Sequence, residues 1–246
     1  MKIVTARLTE GCAALGVALS GEQLARFENF VALLAEANAV QDLTAITDPR
    51  EVADRHLLDS LTVLRYARLI PPGARIVDVG SGAGFPGVPL AIARPDLEVT
   101  LLDAGRKRVD FLRRVLLALG LRAEAIHARA EDAARLPEHR ERYDAALSRA
   151  VTALPALLEL ALPFVRVGGH AVAWKGPAAG EELAGGRRAA VLLGGNLLPA
   201  LDAPVPGRDW RHILLVAEKA EPTARQYPRR AGVPERKPLG MPPQRS

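Results

Sequence analysis

The chain has 246 residues, 49% of them hydrophobic and 25% charged, which is typical of a folded globular protein with a buried core. No apolar run approaches the ~20 residues of a membrane-spanning helix, and the first residues lack the apolar region of a signal peptide, so we expect a cytoplasmic protein. Cys12 is the only cysteine, which excludes an intrachain disulfide and a metal site built from thiolates. The net charge of +5 comes with 28 arginines against 5 lysines. This suits phosphate binding, but it is equally compatible with a GC-rich genome or adaptation to heat.

Residues 1–70 carry the pattern of helices. Ser20 and Gln23 form a capping box at the start of one helix, and the run Asp48-Pro49-Arg50-Glu51 starts another. The apolar positions that recur on one face are Leu24, Phe27, Val31 and Leu34 in the first helix and Leu58, Leu61 and Leu64 in the second. Because the segment between these helices is too short for a domain boundary, we expect residues 1–70 to form a helical cap on the rest of a single compact domain.

From residue 75 onward, short apolar strands alternate with amphipathic helices. The predicted strands are 75–80, 98–103, 123–128 and 143–148, and the predicted helices lie near 86–94, 105–119, 131–136 and 153–164. A strand ending at Lys175, a helix near 181–193 and two apolar runs near 196–204 and 211–219 complete the pattern. This alternation predicts an α/β fold over residues 71–220, with a Rossmann-like, seven-stranded, mostly parallel sheet. Residues 221–246 form a basic tail.

The most informative segment is the glycine-rich loop after the first of these strands, which reads Asp78-Val79-Gly80-Ser81-Gly82-Ala83-Gly84-Phe85. Glycine allows positive φ angles and lets a ligand approach the backbone closely. Asp103 ends the next strand, where a carboxylate can accept hydrogen bonds from both hydroxyls of a ribose. This layout predicts a cofactor that contains a nucleoside.

The loop discriminates between cofactors. A dinucleotide fingerprint needs a third glycine at the position of Phe85, and a phosphate-binding loop needs a Lys-Ser or Lys-Thr pair that is missing here. An acid such as Asp78, two residues before a G-x-G-x-G turn, resembles the S-adenosylmethionine loop of class I methyltransferases. That resemblance implies S-adenosyl-L-methionine as the cofactor and the class I methyltransferase fold. A glycine-rich turn without a ligand is the alternative.

Further cofactor contacts are expected at the carboxyl ends of the strands. Asp103 would hold the ribose, Ala130 and Glu131 occupy the position where class I enzymes bind adenine, and Arg149 would hold the cofactor carboxylate or an RNA phosphate. The alternatives are an ordinary helix cap at Asp103, a favourable helix-dipole contact at Glu131 and a surface salt bridge at Arg149. The predicted cofactor-binding residues are Gly80, Gly82, Gly84, Phe85, Asp103, Ala104, Gly105, Ala130, Glu131 and Arg149.

Several motifs together resemble the RsmG (GidB) family of bacterial rRNA methyltransferases, over roughly residues 20–239. They are Asp42-Leu43-Thr44-Ala45-Ile46, Arg55-His56-Leu57-Leu58-Asp59-Ser60-Leu61, the 77–87 loop, Ser148-Arg149-Ala150-Val151, Trp174-Lys175-Gly176 and Tyr227-Pro228-Arg229-Arg230-Ala231-Gly232-Val233-Pro234. The resemblance implies methylation of guanine N7, at guanosine 527 of 16S rRNA beside the decoding centre, on naked rRNA or the 30S subunit. We expect a monomer. Asp42 departs from the Asn of the family, which puts in doubt any role of an amide donor there.

The residues themselves also favour an in-plane nitrogen as the methyl acceptor. Guanine N7 has a free lone pair, so methyl transfer to it needs no base, and we predict no catalytic acid, base or metal. Methylation of a pyrimidine carbon would need a nucleophilic cysteine, and Cys12 lies outside the core pattern. Methylation of an exocyclic amine usually involves an Asn/Asp-Pro-Pro-aromatic loop, whereas Ser148 to Val151 contains neither proline nor an aromatic residue.

The predicted RNA-binding residues are His56, Lys175, Arg229, Arg230, Arg236 and Lys237. A buried structural histidine and a merely solvated basic tail are the alternatives. Two other functions remain open from the sequence. A small-molecule methyltransferase would share the cofactor loop, and a non-catalytic rRNA-binding assembly factor would keep the basic tail beside a relic pocket.

Overall fold

The computed structural model describes residues 2–241, in which one mixed sheet is flanked by helices on both faces. The strands are β1 (Arg75–Val79), β2 (Glu98–Asp103), β3 (Ala123–His127), β4 (Tyr143–Arg149), β5 (Val165–Lys175), β6 (Gly195–Leu197), β7 (Leu201–Asp202) and β8 (Ile213–Lys219). Seven of them form the path β3-β2-β1-β4-β5-β8-β6, in which β1 to β5 are parallel and β8 is antiparallel to its neighbours. The predicted α/β fold with a mostly parallel sheet is confirmed, and the main path of the sheet has the predicted seven strands.

The structure differs from the prediction over residues 196–204, where the sequence predicts a single apolar run. This run divides into β6 and the two-residue strand β7, an eighth strand that pairs with β8 at Leu201 and Asp202. Pro199 lies between the two strands and has no backbone N–H with which to continue the ladder.

Helices and short helical turns connect the strands. The helices are α1 (Lys2–Ala14), α2 (Gly21–Gln41), α3 (Pro49–Val52), α4 (Asp59–Leu61), α5 (Gly87–Ala93), α6 (Arg106–Ala118), α7 (Ala130–Ala133), α8 (Leu154–Ala161), α9 (Leu183–Leu192) and α10 (Val233–Arg236). A wide π turn over Ala53–Leu58 joins α3 to α4. Within residues 2–241, no helix has both the length and the apolarity needed to cross a membrane.

The N-terminal helices pack on the sheet face that α5 and α6 also cover. Phe27 and Phe30 of α2 are fully buried in the same apolar cluster as Ile76 of β1. The capping box of α2 is formed as predicted, and the Gln23 side chain also donates to the carbonyls of Ile92 and Ala93 at the end of α5. Burial and capping thus attach α2 directly to the core.

The C-terminal segment packs on the opposite face, against α8. The Arg229 guanidinium donates to both carboxylate oxygens of the fully buried Glu159, and its backbone N–H donates to Glu159 Oε1 at 2.7 Å. Arg140 donates to the carbonyls of Thr223 and Tyr227. These contacts hold the segment from Thr223 to α10 against the core.

If the helical cap shares its core with the sheet, truncating Phe27 should destabilise the whole protein. We expect Phe27→Ala to lower the free energy of unfolding by about 3–5 kcal/mol, because a fully buried aromatic side chain leaves a cavity. Urea unfolding followed by circular dichroism measures this. The control is Val40→Ala in the same helix, whose side chain is 81% exposed and whose replacement should cost less than about 0.5 kcal/mol. Equal effects, or a separate transition for the cap, would contradict shared packing.

Candidate functional site

The glycine loop lies at the carboxyl end of β1 and has a left-handed backbone at alternate positions. The φ angles of Gly80, Gly82 and Gly84 are +75°, +57° and +102°. A Cβ on Gly80 would lie 2.7 Å from Val151 Cγ2, and one on Gly84 would lie 2.8 Å from Val88 Cγ2. Both the conformation and the close packing therefore require glycine at these two positions.

The Asp103 carboxylate joins this loop to the end of β2. Its Oδ2 accepts the Gly82 N–H at 2.9 Å, and its Oδ1 accepts the Gly105 N–H at 2.7 Å and Arg108 Nε at 2.8 Å. The residue is only 4% exposed. The side chain is therefore fixed in orientation, and Oδ2 keeps a second lone pair for another donor.

A cavity of ≈ 250 Å³ opens beside Asp103, between the carboxyl ends of β1, β2 and β3. Five of the ten predicted cofactor-binding residues line it, namely Gly80, Asp103, Ala104, Ala130 and Glu131. Gly82 and Gly105 lie behind Asp103 as hydrogen-bond donors, Gly84 packs on Val88, and Phe85 and Arg149 lie in a neighbouring cluster. The lining of the cavity combines polar groups with apolar side chains.

The C-terminal segment borders this cavity, which the sequence did not indicate. Glu235 of α10 contributes to the lining, and the Gly232 N–H donates to Glu131 Oε1 at 2.7 Å. Arg129 Nη2 also donates to the buried Glu131 carboxylate. Glu131 thus links the rim of the cavity to the C-terminal segment.

A second cluster surrounds Arg149 at the end of β4. Arg149 Nη1 donates to Asp59 Oδ2 at 2.9 Å and to the Arg55 carbonyl at 2.6 Å, and Nη2 donates to His56 Nδ1 at 3.0 Å. Its guanidinium also lies over the Phe85 ring, 5.1 Å from the centroid. The cluster therefore joins the glycine loop, β4 and the π turn.

The protonation state of His56 follows from its partners. Arginine can only donate, so His56 Nδ1 accepts, and Nε2 donates to Thr44 Oγ1 at 2.9 Å. Burial and the nearby charge of Arg149 lower the pKa of His56 to about 4. The neutral ring stacks on Phe85 with 4.4 Å between centroids. His56 thus fixes the positions of Phe85 and Arg149.

Asp59 and His212 complete this cluster and were not among the predicted site residues. The Asp59 side chain is 6% exposed, and its Oδ1 lies 2.9 Å from His212 Nδ1. The Trp174 indole N–H donates to the Asp59 carbonyl at 2.9 Å. Asp59 lies in the Arg55–Leu61 motif of the family resemblance. The loop that carries His212 has no sequence pattern that indicates a functional site.

The predicted RNA-binding residues lie in different environments. Lys175 Nζ donates to the Thr152 carbonyl and to Glu182, and Arg229 pairs with Glu159. Arg230, Arg236 and Lys237 are exposed. Their role in RNA binding, like the cofactor contacts, stays a prediction.

Asp42 ends α2 with φ +46°, a left-handed conformation that both Asn and Asp adopt readily, so this position does not require an amide donor.

Across residues 2–241, no group of three or more His, Cys, Asp or Glu side chains is arranged to hold a metal ion.

The fold is shared with solved enzymes of low sequence identity. A variant of the branched-chain polyamine synthase of Thermus thermophilus, solved with 5′-methylthioadenosine, has a TM-score of 0.55 at 18% identity, over 82% of this chain and 65% of that enzyme. The (4+2) cyclase SpnF has a TM-score of 0.54 at 18% identity, over 85% of this chain and 98% of that enzyme. At this identity the similarity concerns the fold alone.

Sequence relatives identify the family. A curated "Ribosomal RNA small subunit methyltransferase G" of Pelotomaculum thermopropionicum is 43% identical over 97% of this chain and 100% of its own length. The protein of the same name from Alkaliphilus metalliredigens is 42% identical over 94% of this chain and 97% of its own length. The profile described as rRNA small subunit methyltransferase G matches residues 23–202. The chain therefore belongs to the rRNA small subunit methyltransferase G family, as its motifs predict.

Proposed function

We propose that this enzyme transfers the methyl group of S-adenosyl-L-methionine to N7 of a guanine in 16S rRNA, at the position that corresponds to guanosine 527. The observation that carries the proposal is the convergence of the glycine loop, Asp103 and Arg149 at one edge of the sheet, in a chain of this family. The relatives are named for a small-subunit rRNA substrate. We also propose that the protein is a monomer, which meets the 30S subunit in the cytoplasm.

The residues of the site fit this cofactor. Asp78 is fully buried beneath the loop, its Oδ2 accepts the Gly87 N–H at 2.9 Å, and its Oδ1 has no hydrogen-bond partner among residues 2–241. A buried carboxylate with an unused oxygen favours a nearby cation, and S-adenosylmethionine carries a sulfonium and an ammonium group. When bound, the cofactor supplies a methyl carbon that the sulfonium makes electrophilic.

The chain's own residues position the cofactor. Asp103 Oδ2 would accept a hydrogen bond from a ribose hydroxyl with the lone pair that Gly82 leaves free. Ala130 is the first residue of α7, so its N–H has no partner within the helix and is available to adenine. The Glu131 carboxylate accepts the Gly232 N–H and so holds the C-terminal segment beside the cavity. Arg149 would hold the carboxylate of the cofactor or a phosphate of the RNA.

Guanine N7 suits this site because it needs no proton acceptor. His56 is neutral but both of its ring nitrogens have partners, so it serves to position Phe85 and Arg149. Burial raises the pKa of the Cys12 thiol to about 12, so that thiol is no nucleophile for a pyrimidine carbon. Catalysis then rests on holding N7 in line with the methyl carbon, which contributes up to roughly 7–11 kcal/mol in favourable cases.

The RNA would bind through exposed basic residues beside the cavity. We propose that Arg230, Arg236 and Lys237 contact phosphates directly. Arg229, Lys175 and His56 would support the RNA site by holding the segments that form it, since each has protein partners.

The proposed activity is tested by incubating 30S subunits and naked 16S rRNA with methyl-labelled cofactor and mapping the modified nucleotide. We expect label on a single guanine at N7. Label on an exocyclic amine or a pyrimidine carbon would contradict the N7 assignment, and cofactor binding without any transfer to rRNA would favour an assembly factor with a relic pocket.

Removal of the Asp103 carboxylate should weaken cofactor binding. We expect Asp103→Ala to raise the Kd for S-adenosylmethionine by about 10- to 150-fold, since hydrogen bonds to a charged acceptor are lost and the loop loses its anchor. Isothermal titration calorimetry measures this. The matched control is Asp110→Ala on the exposed face of α6, which should leave the Kd unchanged. If both variants change the Kd equally, the ribose does not bind at Asp103.

Cofactor binding should also depend on pH through Asp78. Burial raises the pKa of this carboxyl to about 7, so it is largely protonated below that pH and ionised above it. Because the ionised form favours the cationic cofactor, affinity should rise by up to about 10-fold per pH unit as pH approaches this value from below, and it should level off above it. Calorimetry in buffers of different ionisation enthalpy should detect proton release on binding near neutral pH.

The isosteric variant Asp78→Asn separates this effect from the cofactor's own ionisation. Its affinity should be weaker at high pH and should vary less with pH than that of the wild type. Identical pH profiles for the two proteins would show that the Asp78 carboxylate does not interact with the bound cofactor.

A further inference from the structure

A tryptophan on the loop between β7 and β8 lies beside the Arg149 site and contacts residues of this loop and of the π turn. The Cζ atoms of Arg55 and Arg208 lie 4.4 Å and 4.9 Å from the centroid of the Trp210 ring, within the range of cation–π contacts. The His212 ring stacks against Trp210 at 5.6 Å. We call Arg55, Arg208, Trp210 and His212 the Trp210 cluster.

Carboxylates hold the arginines of this cluster in place. Glu51 accepts from Arg55 Nε at 2.6 Å and also from Arg208, whose Nε donates to the fully buried Asp54 at 2.7 Å. Asp54 also accepts Arg7 Nε at 2.6 Å. The guanidinium planes are thus preorganised, and neighbouring carboxylates largely balance their charge. Such a surface is better suited to stacking with a flat base than to holding a phosphate.

The cluster is accessible. A cleft of ≈ 520 Å³ is lined by Asp202, Pro204, Trp210, Arg211, His212 and Ile213. Trp210 is half-buried, whereas the other tryptophan of the chain, Trp174, is buried with its indole N–H bonded to Asp59 and Thr62. Trp174 thus lies within the core, whereas Trp210 packs against the edge of the main apolar cluster and also borders the open cleft.

The cluster is also connected to the proposed site of methyl transfer. The Arg55 carbonyl accepts from Arg149, and His212 contacts the same Asp59 carboxylate that pairs with Arg149. A base in the cleft would therefore lie near the nucleotide that the Arg149 site receives.

We propose that the Trp210 cluster binds an unpaired nucleobase of the RNA, next to the target guanine, by stacking on the indole of Trp210. This inference rests on the proposed rRNA substrate. Sequence-specific and structure-specific RNA recognition commonly uses bases that are splayed out and stacked on aromatic side chains or arginine planes. Because every base has a stacking face, this contact tolerates different bases at that position.

Tryptophan fluorescence tests the contact directly, since Trp174 is shielded from solvent. The probes are a short single-stranded oligouridylate and an abasic ribose-phosphate oligomer of the same length. We expect the oligouridylate to quench the wild-type fluorescence and the abasic oligomer to leave it unchanged. Trp210→Phe should abolish the quenching while retaining most of the RNA affinity measured by anisotropy.

Trp210→Ala should weaken oligouridylate binding by about 5- to 150-fold, the range expected for loss of one stacked base. Its Kd for S-adenosylmethionine should stay at the wild-type value, which also reports that the core is folded. Arg113→Ala on the exposed face of α6 removes one positive charge elsewhere and should change RNA affinity little.

Absence of quenching in the wild type, or equal quenching by both oligomers, would overturn the stacking site. Unchanged RNA affinity in Trp210→Ala would also overturn it. Base-dependent quenching in a protein that fails to methylate rRNA would refute the proposed function and leave the stacking site standing. Methylation of rRNA by a protein whose fluorescence is not quenched would support the proposed function and refute the stacking site.

Discussion

A buried ion pair between Asp59 and Arg149 joins the N-terminal helices to the carboxyl edge of the sheet. The two side chains are 6% and 13% exposed, and their contact at 2.9 Å links residues that are 90 positions apart. Arg149 also donates to the Arg55 carbonyl and to His56. Removing one partner of such a pair leaves an uncompensated buried charge, which typically costs about 3–5 kcal/mol. The site around Arg149 therefore exists only when the helices are docked on the core.

The same constraint explains why so few groups near this edge are available for acid–base chemistry. His56 is kept neutral by burial and by Arg149, and Asp59 is shared between Arg149 and His212. These groups hold one another in fixed positions. A site of this kind fits a reaction whose acceptor atom already has a free lone pair, because positioning then contributes most of the rate acceleration.

The sequence predicted the parts of the structure that repeat or that follow strand ends. The alternation of strands and helices predicted the sheet, and the glycine loop with Asp103 predicted the edge of the cavity. Trp210 and His212 were missed because they lie on an irregular loop, where no periodic pattern indicates which way a side chain points. Glu235 was missed because its helix, α10, has only four residues, which is too short for a periodic pattern. The pairing of Arg229 with Glu159 joins positions 70 apart in sequence, so the basic tail gave no sign of it. The apolar pattern predicted one continuous run at 196–204, whereas Pro199 interrupts it and separates β6 from β7.

Because the Asp59 carboxylate holds Arg149 in position, Asp59 should affect methyl transfer through Arg149, and a double-mutant cycle tests this most directly. Single-turnover transfer to 30S subunits would be measured for wild type, Asp59→Asn, Arg149→Gln and the double variant, after thermal melting confirms that each is folded. If the pair acts as a unit, both single variants should be slow, and the double variant should be no slower than the worse of the two. Additive losses, with the two effects multiplying in the double variant, would contradict the account.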